Sequence, residues 1–433
     1  MATGQDRFHS LSEWLAWQEG LHVREIDLGL ERVREVASRL DLLSPDYHVI
    51  TVAGTNGKGS CVEMLQAILS AAGYRVGSYT SPHLLHYNER IRVGGEMVTD
   101  EALCRAFAEV DRARGETSLT YFEFGTLAAL YLFRQAGLDA AVLEVGLGGR
   151  LDAVNLLDAE AALVTSIDLD HVEWLGESRE EIAREKAGIF RPGAVAVCAE
   201  ADPPRTLLEE AQRLRTRRLA NRLDYHYREA GRRWDFECGE QRLQGLPRPA
   251  LEGSFQLQNA AAVLALLTGL REVLPVAREA IEQGLREVRL AGRIQRVPGP
   301  VELILDVAHN PQAASVLASQ LRERPARGRT WCLLGMLRDK DCAGVGQILG
   351  PLVDGWHVCT LQATRGAAAP LLADSLRVAG VEGEIAVHES VEQGYRAVLS
   401  RARPGDRVVV MGSFLTVGAV LPLISVPVGA AGR

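Results

Sequence analysis

Val49-Ile50-Thr51-Val52-Ala53-Gly54-Thr55-Asn56-Gly57-Lys58-Gly59-Ser60 runs from an apolar stretch into a glycine-rich turn, a lysine and a hydroxyl. A helix-like stretch, Cys61 to Ala72, follows. Strand, turn and helix in that order make an anion site. The N–H groups of the turn add to the positive end of the helix. Lys58 would reach terminal phosphates, and a hydroxyl would help hold Mg²⁺. A plain turn with an exposed lysine is the simpler alternative, but Gly54, Gly57 and Gly59 crowd into six residues. The usual signature has Ser or Thr directly after the lysine, whereas here Gly59 stands between Lys58 and Ser60.

Outward from this loop, short apolar runs at 48–53, 75–80, 140–145, 162–167 and 194–198 alternate with helix-length segments. That pattern predicts βαβ units around a mostly parallel sheet. Residues 31–42 repeat apolar positions at helical spacing, and 203–250 turn arginine-rich, with 232–246 alternating like exposed hairpin strands. The latter reads as an antiparallel extension of the first domain. Apolar runs restart at 301–307, 330–336, 356–361 and 406–411. Gly292, Pro298, Gly299 and Pro300 break regular structure just before them. The expected fold class is therefore α/β: a P-loop-type, mostly parallel sheet domain over 1–289, then a smaller Rossmann-like α/β domain over 290–433.

A chain of 433 residues fits two cores better than one. Net charge −8 gives no support for nucleic acid or a membrane surface. Seven scattered cysteines without a CxxC pair argue against a disulfide framework or zinc, and for a reducing compartment. Asp6, His9 and Glu13 stand where a signal peptide would be apolar, and no apolar run is long enough to span a bilayer. The expectation is a cytoplasmic monomer with small-molecule partners.

A phosphate loop calls for metal ligands, and Mg²⁺ prefers oxygen. Predicted strand ends supply Ser81, Glu144, and the group Asp168, Asp170 and His171. Ligands in open α/β sheets gather at that edge. Taken singly, Glu144 could pair with Arg150 and His171 could be an ordinary loop histidine. In the second unit, Asp306, His309 and Asn310 follow one strand, and Arg338, Asp339 and Lys340 the next.

The motifs "GTNGKGS", "SPHL", "YFEFGTLAAL", "EVGLGGRLDAVN", "TSIDLDH", "REKAGIFR", "LAGRIQ", "DVAHNP", "GMLRDKD" and "GSFLTV" occur in one order. In that order, over about residues 12–417, the chain resembles the Mur ligase superfamily, most closely its folylpolyglutamate synthase and bifunctional dihydrofolate synthase branch. The inserted Gly59 is the form this family's loop takes. The resemblance implies an ATP-dependent, Mg²⁺-dependent ligase that joins a carboxylate to an amino acid through an acyl phosphate. It implies that Thr55, Asn56, Gly57, Lys58, Gly59, Ser60, Asn259, Arg293 and Asp306 bind ATP. Ser60, Ser81, Glu144 and His171 would serve the metals, and His309 and Asn310 would lie on the glutamate side.

Two further stretches resemble the branch's pterin elements: Asp27, Leu28, Gly29, Leu30, and Thr120, Tyr121, Phe122, Glu123, completed by Leu151, Asp152 and Ala153. Aromatic rings can sandwich a flat pterin, and Asp152 could accept from its N–H groups. The competing expectation for Tyr121, Phe122 and Phe124 is plain core. The implied substrates are 7,8-dihydropteroate, reduced folates and L-glutamate. Val154 departs from the threonine usual after "LDA". "REKAG" matches the family's carbamylated lysine, which makes Lys186 a candidate carbamate. By residue type alone, Lys186 would instead meet the negative end of its helix, or pair with Glu181 or Glu185. Three alternatives stand beside this expectation: folylpolyglutamate synthesis only, another Mur-type amino-acid ligase, or a nucleotide-dependent regulator without ligase chemistry. Peptidoglycan Mur ligases carry an additional N-terminal domain, for which a loop starting near residue 54 leaves little chain.

Overall fold

The computed structural model describes residues 7–24 and 26–424. The chain divides into two compact units: residues up to Ala250 with Gln256–Arg289, and Leu251–Phe255 with the residues from Leu290 on.

The first unit is built on an eight-stranded sheet. Its strands are β1 (His48–Ala53), β2 (Val76–Tyr79), β3 (Ile91–Val93), β4 (Glu96–Met97), β5 (Ala140–Glu144), β6 (Ala161–Val164), β7 (Val195–Cys198) and β8 (Arg217–Ala220). They lie in the order β4-β3-β2-β5-β1-β6-β7-β8. All neighbours from β2 to β8 pair in parallel, while β3 and β4 form an antiparallel edge. The inner strands are buried along their length, as in β5 and β6. A strand covered on both faces shows no alternation, which is why these segments read as continuous apolar runs. Helices Lys58–Ala71, Tyr121–Ala136 and Arg179–Ala187 follow strands of this sheet. The core gathers Trp14, Phe107, Phe124, Phe133 and the inner strand residues.

Beyond β8, strands β9 (Tyr225–Ala230), β10 (Arg233–Cys238) and β11 (Gln241–Pro247) form a separate three-stranded antiparallel sheet. The hairpin expected from the alternation is present. The segment as a whole is more mixed than an antiparallel extension: it opens with the helix Arg205–Arg213 and contributes β8 in parallel to the main sheet.

The second unit has a six-stranded sheet of β12 (Gln295–Val297), β13 (Glu302–Leu305), β14 (Thr330–Leu334), β15 (Gly355–Cys359), β16 (Glu384–His388) and β17 (Arg407–Met411). The order is β12-β13-β17-β14-β15-β16, parallel except for the β12 edge. Its own core packs Ile304, Leu334, Met336, Trp356 and Val409. No helix among the described residues is long and apolar enough to cross a membrane.

Candidate active site

The phosphate loop is folded back onto the end of β6. Thr55 N–H donates to the Ser166 carbonyl at 2.7 Å, and Asn56 N–H to Ser166 Oγ at 2.9 Å. The Thr165 hydroxyl returns a bond to the Asn56 carbonyl at 2.7 Å. Two glycines are required by this path. A Cβ on Gly54 would lie 1.8 Å from Thr165 Oγ1, and Gly57 sits at φ +89° with its Cβ position 2.9 Å from Asn259 Oδ1. The helix Lys58–Ala71 starts directly after Gly57, so its first N–H groups, which have no intrahelical acceptor, crown the loop. Lys58 Nζ lies across the loop, donating to the Gly54 carbonyl at 2.9 Å and the Thr55 carbonyl at 3.2 Å.

Behind the loop, Gln256 Nε2 donates to Ser60 Oγ at 3.2 Å, and Asn259 Nδ2 donates to Gln256 Oε1 at 3.0 Å. The sequence pointed to Asn259 and missed Gln256. Its only signal was its place three residues before Asn259 on one helix face.

β2, β5 and β1 are neighbours, so their carboxyl ends bring Ser81, Glu144 and the loop to one edge. Ser81 N–H donates to Glu144 Oε2 at 3.3 Å, and Glu144 is buried. His171 adopts φ +51° at the start of a one-turn helix, its N–H donating to Asp170 Oδ1 at 2.9 Å. Ser60, Ser81 and Glu144 offer two hydroxyls and a carboxylate, a hard, oxygen-rich donor set that suits Mg²⁺ with waters completing its shell. Among the described residues no group of three or more His, Cys, Asp and Glu is placed to hold a metal.

Lys186 lies in the last turn of its helix, 3% exposed. Neither expected carboxylate partner engages it. Glu185 pairs with Arg150 at 3.0 Å, and Glu181 accepts from the Ser178 N–H and hydroxyl. Glu144 likewise does not take up Arg150. Burial, followed by the Lys58 ammonium, pushes the Lys186 amine down to about 7, against an opposing pull from Asp170.

The loop after β5 joins these groups to the segments that carry the pterin resemblance. Asp152 is fully buried, accepting the Leu147 N–H at 2.8 Å and the Val154 N–H at 3.0 Å, and burial pushes its carboxyl up to about 7. Its oxygens thus already organise the loop. Val154 buries its side chain in the core, and its N–H still bonds Asp152. Asn155 Nδ2 donates to the Arg150 and Gly188 carbonyls, both at 3.0 Å, tying this loop to the end of the Lys186 helix. Phe122 lies against the loop: a Cβ on Gly146 would meet its ring at 2.7 Å. Tyr121 and Phe122 keep partly exposed rings while Phe124 is core.

Thr120 and Glu123 form a capping box. Arg32, which the sequence did not single out, bonds Asp27 Oδ2 at 2.5 Å and Glu123 Oε1 at 3.1 Å. It thereby joins the 27–30 segment (Asp27, Leu28, Gly29 and Leu30, all half-buried) to the Thr120–Glu123 turn. Leu151 is half-buried and Ala153 buried.

In the second unit, Asp306 at the end of β13 accepts the Ile294 N–H at 2.8 Å and the Ala308 N–H at 2.7 Å. Ile294 holds φ +47°, a rare conformation for a β-branched residue. Burial raises the Asp306 carboxyl, opposed first by Arg293. The Arg293 guanidinium lies 5.0 Å from the centre of the Phe414 ring. His309 Nδ1 donates to the Val307 carbonyl at 2.8 Å, since a carbonyl only accepts. Asn310 caps the helix Pro311–Glu323. Arg365 pairs with Asp339 at 2.7 Å, and Arg338 bonds the Thr364 carbonyl.

The Mur ligase middle domain family matches residues 52–267, and the Mur ligase glutamate ligase domain family matches 292–414. The dihydrofolate synthase/folylpolyglutamate synthase of Escherichia coli (strain K12) is 45% identical over 96% of this chain and 95% of its own. This chain belongs to that family. The namesake protein of Bacillus subtilis (strain 168) is 31% identical over 86% of this chain and 90% of its own. The solved structure of E. coli FolC in complex with DHPP and ADP superposes with a TM-score of 0.91 at 44% identity, covering 98% of this chain and 99% of that one. A bifunctional folylpolyglutamate synthase/dihydrofolate synthase with Mn, AMPPNP and L-glutamate bound gives 0.89 at 45% identity, covering 98% and 100%.

Proposed function

We propose that this chain is an ATP-dependent ligase that joins L-glutamate to 7,8-dihydropteroate, giving dihydrofolate, and adds further glutamates to reduced folates, as a cytosolic monomer. One observation carries most weight. The 146–155 loop that follows Glu144 both meets Phe122 and, through Asn155 at 3.0 Å, grips the end of the Lys186 helix. Acceptor-side and phosphate-side groups thus share one short segment.

The chemistry is phosphoryl transfer followed by amide formation. A carboxylate oxygen of the acceptor attacks the γ-phosphorus of ATP, and ADP leaves. The glutamate amine then attacks the acyl carbon, and phosphate leaves. Phosphoryl transfer asks mainly for positioning and charge neutralisation. The loop N–H groups and Lys58 supply these to the ATP phosphates, while Gln256 and Asn259 fix the loop from behind. Ser60, Ser81, Glu144 and His171 would hold Mg²⁺, which would supply positive charge against the phosphates. Arg293 and Asp306 are assigned to the nucleotide, and His309 to the incoming amine. Lys186 is assigned a carbamate: a buried amine without a carboxylate partner is in the neutral form that adds CO₂.

The test is ADP release from the purified chain. It should require both dihydropteroate and glutamate, and the product mass should be that of dihydrofolate. Activity only with an already glutamylated folate would leave the second activity and remove the first.

A further inference from the structure

We propose that Arg90 binds the carboxylate of the acceptor substrate, with His83 as the positioning residue that holds its guanidinium. Arg90 ends the short turn of helix Tyr87–Arg90, and its carbonyl accepts the Thr80 N–H at 2.8 Å. It therefore stands beside the strand end that leads into Ser81. Its Nε donates to His83 Nδ1 at 2.8 Å. A guanidinium only donates, so Nδ1 is the acceptor and the ring carries its proton on Nε2. The guanidinium carbon lies 5.2 Å from the Tyr87 ring centre and 5.6 Å from that of Tyr121. One nitrogen and one face are thus fixed by neutral groups.

Several other arginines of this unit spend their charge on carboxylates: Arg32 on Asp27, Arg150 on Glu185, Arg179 on Glu200. Arg90 has no carboxylate within ion-pair distance, and its Nη1 and Nη2 make no hydrogen bond, among the described residues. A half-buried guanidinium in that state is a bidentate receptor for a planar anion. The reaction brings three anionic substrates, of which glutamate is assigned above to His309 in the second unit. The triphosphate belongs at the end of β1, two strands from β2, where Lys58 and the loop lie. The anion left for Arg90 is the acceptor carboxylate, carried on a benzoate ring that can lie along Tyr121. Held this way, one carboxylate oxygen keeps the guanidinium bond. The other forms the new bond to the γ-phosphorus as the bond from that phosphorus to the ADP oxygen breaks.

This rests on the ligase assignment above, and the experiment separates the two. The probes are 7,8-dihydropteroate and its analogue lacking the carboxylate, used as a competitive inhibitor, with KM for ATP as the control. Arg90→Ala should raise KM for dihydropteroate about tenfold or more, the loss of one charge-assisted bidentate contact. It should leave the analogue's inhibition constant and KM for ATP within about twofold. Arg90→Lys, which keeps the charge and loses the fork, should show the same selective loss, and carries the test if the alanine variant does not fold. His83→Phe should move in the same direction. His83→Asn, whose amide oxygen can accept from Nε, should restore near-normal values. Unchanged kinetics for dihydropteroate in both Arg90 variants would overturn the proposal, as would equal loss of substrate and analogue. Wild-type protein without dihydropteroate-dependent ADP release would instead overturn the ligase assignment.

Discussion

Lys186 and Asp152 are two buried ionisable groups whose charge the site must manage. For Lys186 the sign is set by a folded value near 7 against an ordinary 10.5. Between these the unfolded chain binds the extra proton, so stability rises as pH climbs through this window and the penalty is complete below 7. The same shift governs CO₂ uptake, since only the neutral amine reacts. In protein stripped of CO₂, ¹³CO₂ incorporation at Lys186 should increase with pH through about 7, read as a carbamate carbon signal absent from Lys186→Ala. Lys186→Ala should lose activity, and a small added carboxylate should restore part of it. Incorporation indifferent to pH, or an unmodified lysine in fully active enzyme, would end the carbamate assignment. Asp152 runs the other way: with its carboxyl raised to about 7, stability falls as pH rises from 3.8 to that value. Asp152→Ala leaves the buried Val154 amide without its acceptor, which costs about 1–3 kcal/mol, and the part-buried Leu147 amide with it. KM for dihydropteroate should rise more than KM for ATP. Equal loss of both would make the residue structural only.

At the scale of elements, the loop–helix junction at Gly57 is the least forgiving. Gly57→Ala adds a Cβ at φ +89°, 2.9 Å from Asn259 Oδ1. The strain is on the order of 1–3 kcal/mol, and nucleotide affinity should fall with it, measurable by calorimetry with an ATP analogue. Normal nucleotide affinity would mean that the loop tolerates another path. The phosphate loop, the inner strands and the Lys186 helix were legible because local patterns specify them: continuous apolar runs, glycine spacing and a helical stretch that stops at Gly188. β16 was not, since as an edge strand it is only partly buried and holds just three apolar residues, Ile385, Ala386 and Val387, between Glu384 and His388. Nor could Arg32, Arg90 or Gln256 be read from spacing. Arg32 meets Glu123 and Gln256 meets Ser60 only after the chain has folded. The same holds for Asp152, whose local amide bonds exist only in the formed loop.

Over the whole molecule, each unit carries its own core, and the short segment Leu251–Phe255 belongs with the second although it precedes most of a first-unit helix. Phe255 packs on the second core, and Glu252 accepts from Arg296 at 2.6 Å. Nothing in its composition marks this. A non-hydrolysable ATP analogue with Mg²⁺, at about 100 times its Kd, should stabilise the chain by about 2.7 kcal/mol. Calorimetry of Lys58→Ala should show that gain reduced, and a gain undiminished in that variant would contradict the role given to the lysine. The central claim is that the acceptor carboxylate is activated as an acyl phosphate before glutamate is joined to it. With 7,8-dihydropteroate labelled with ¹⁸O in its carboxylate, turnover with ATP and glutamate should yield one ¹⁸O in the inorganic phosphate for each dihydrofolate formed. Phosphate free of label, or phosphate released at the same rate without dihydropteroate, would contradict it.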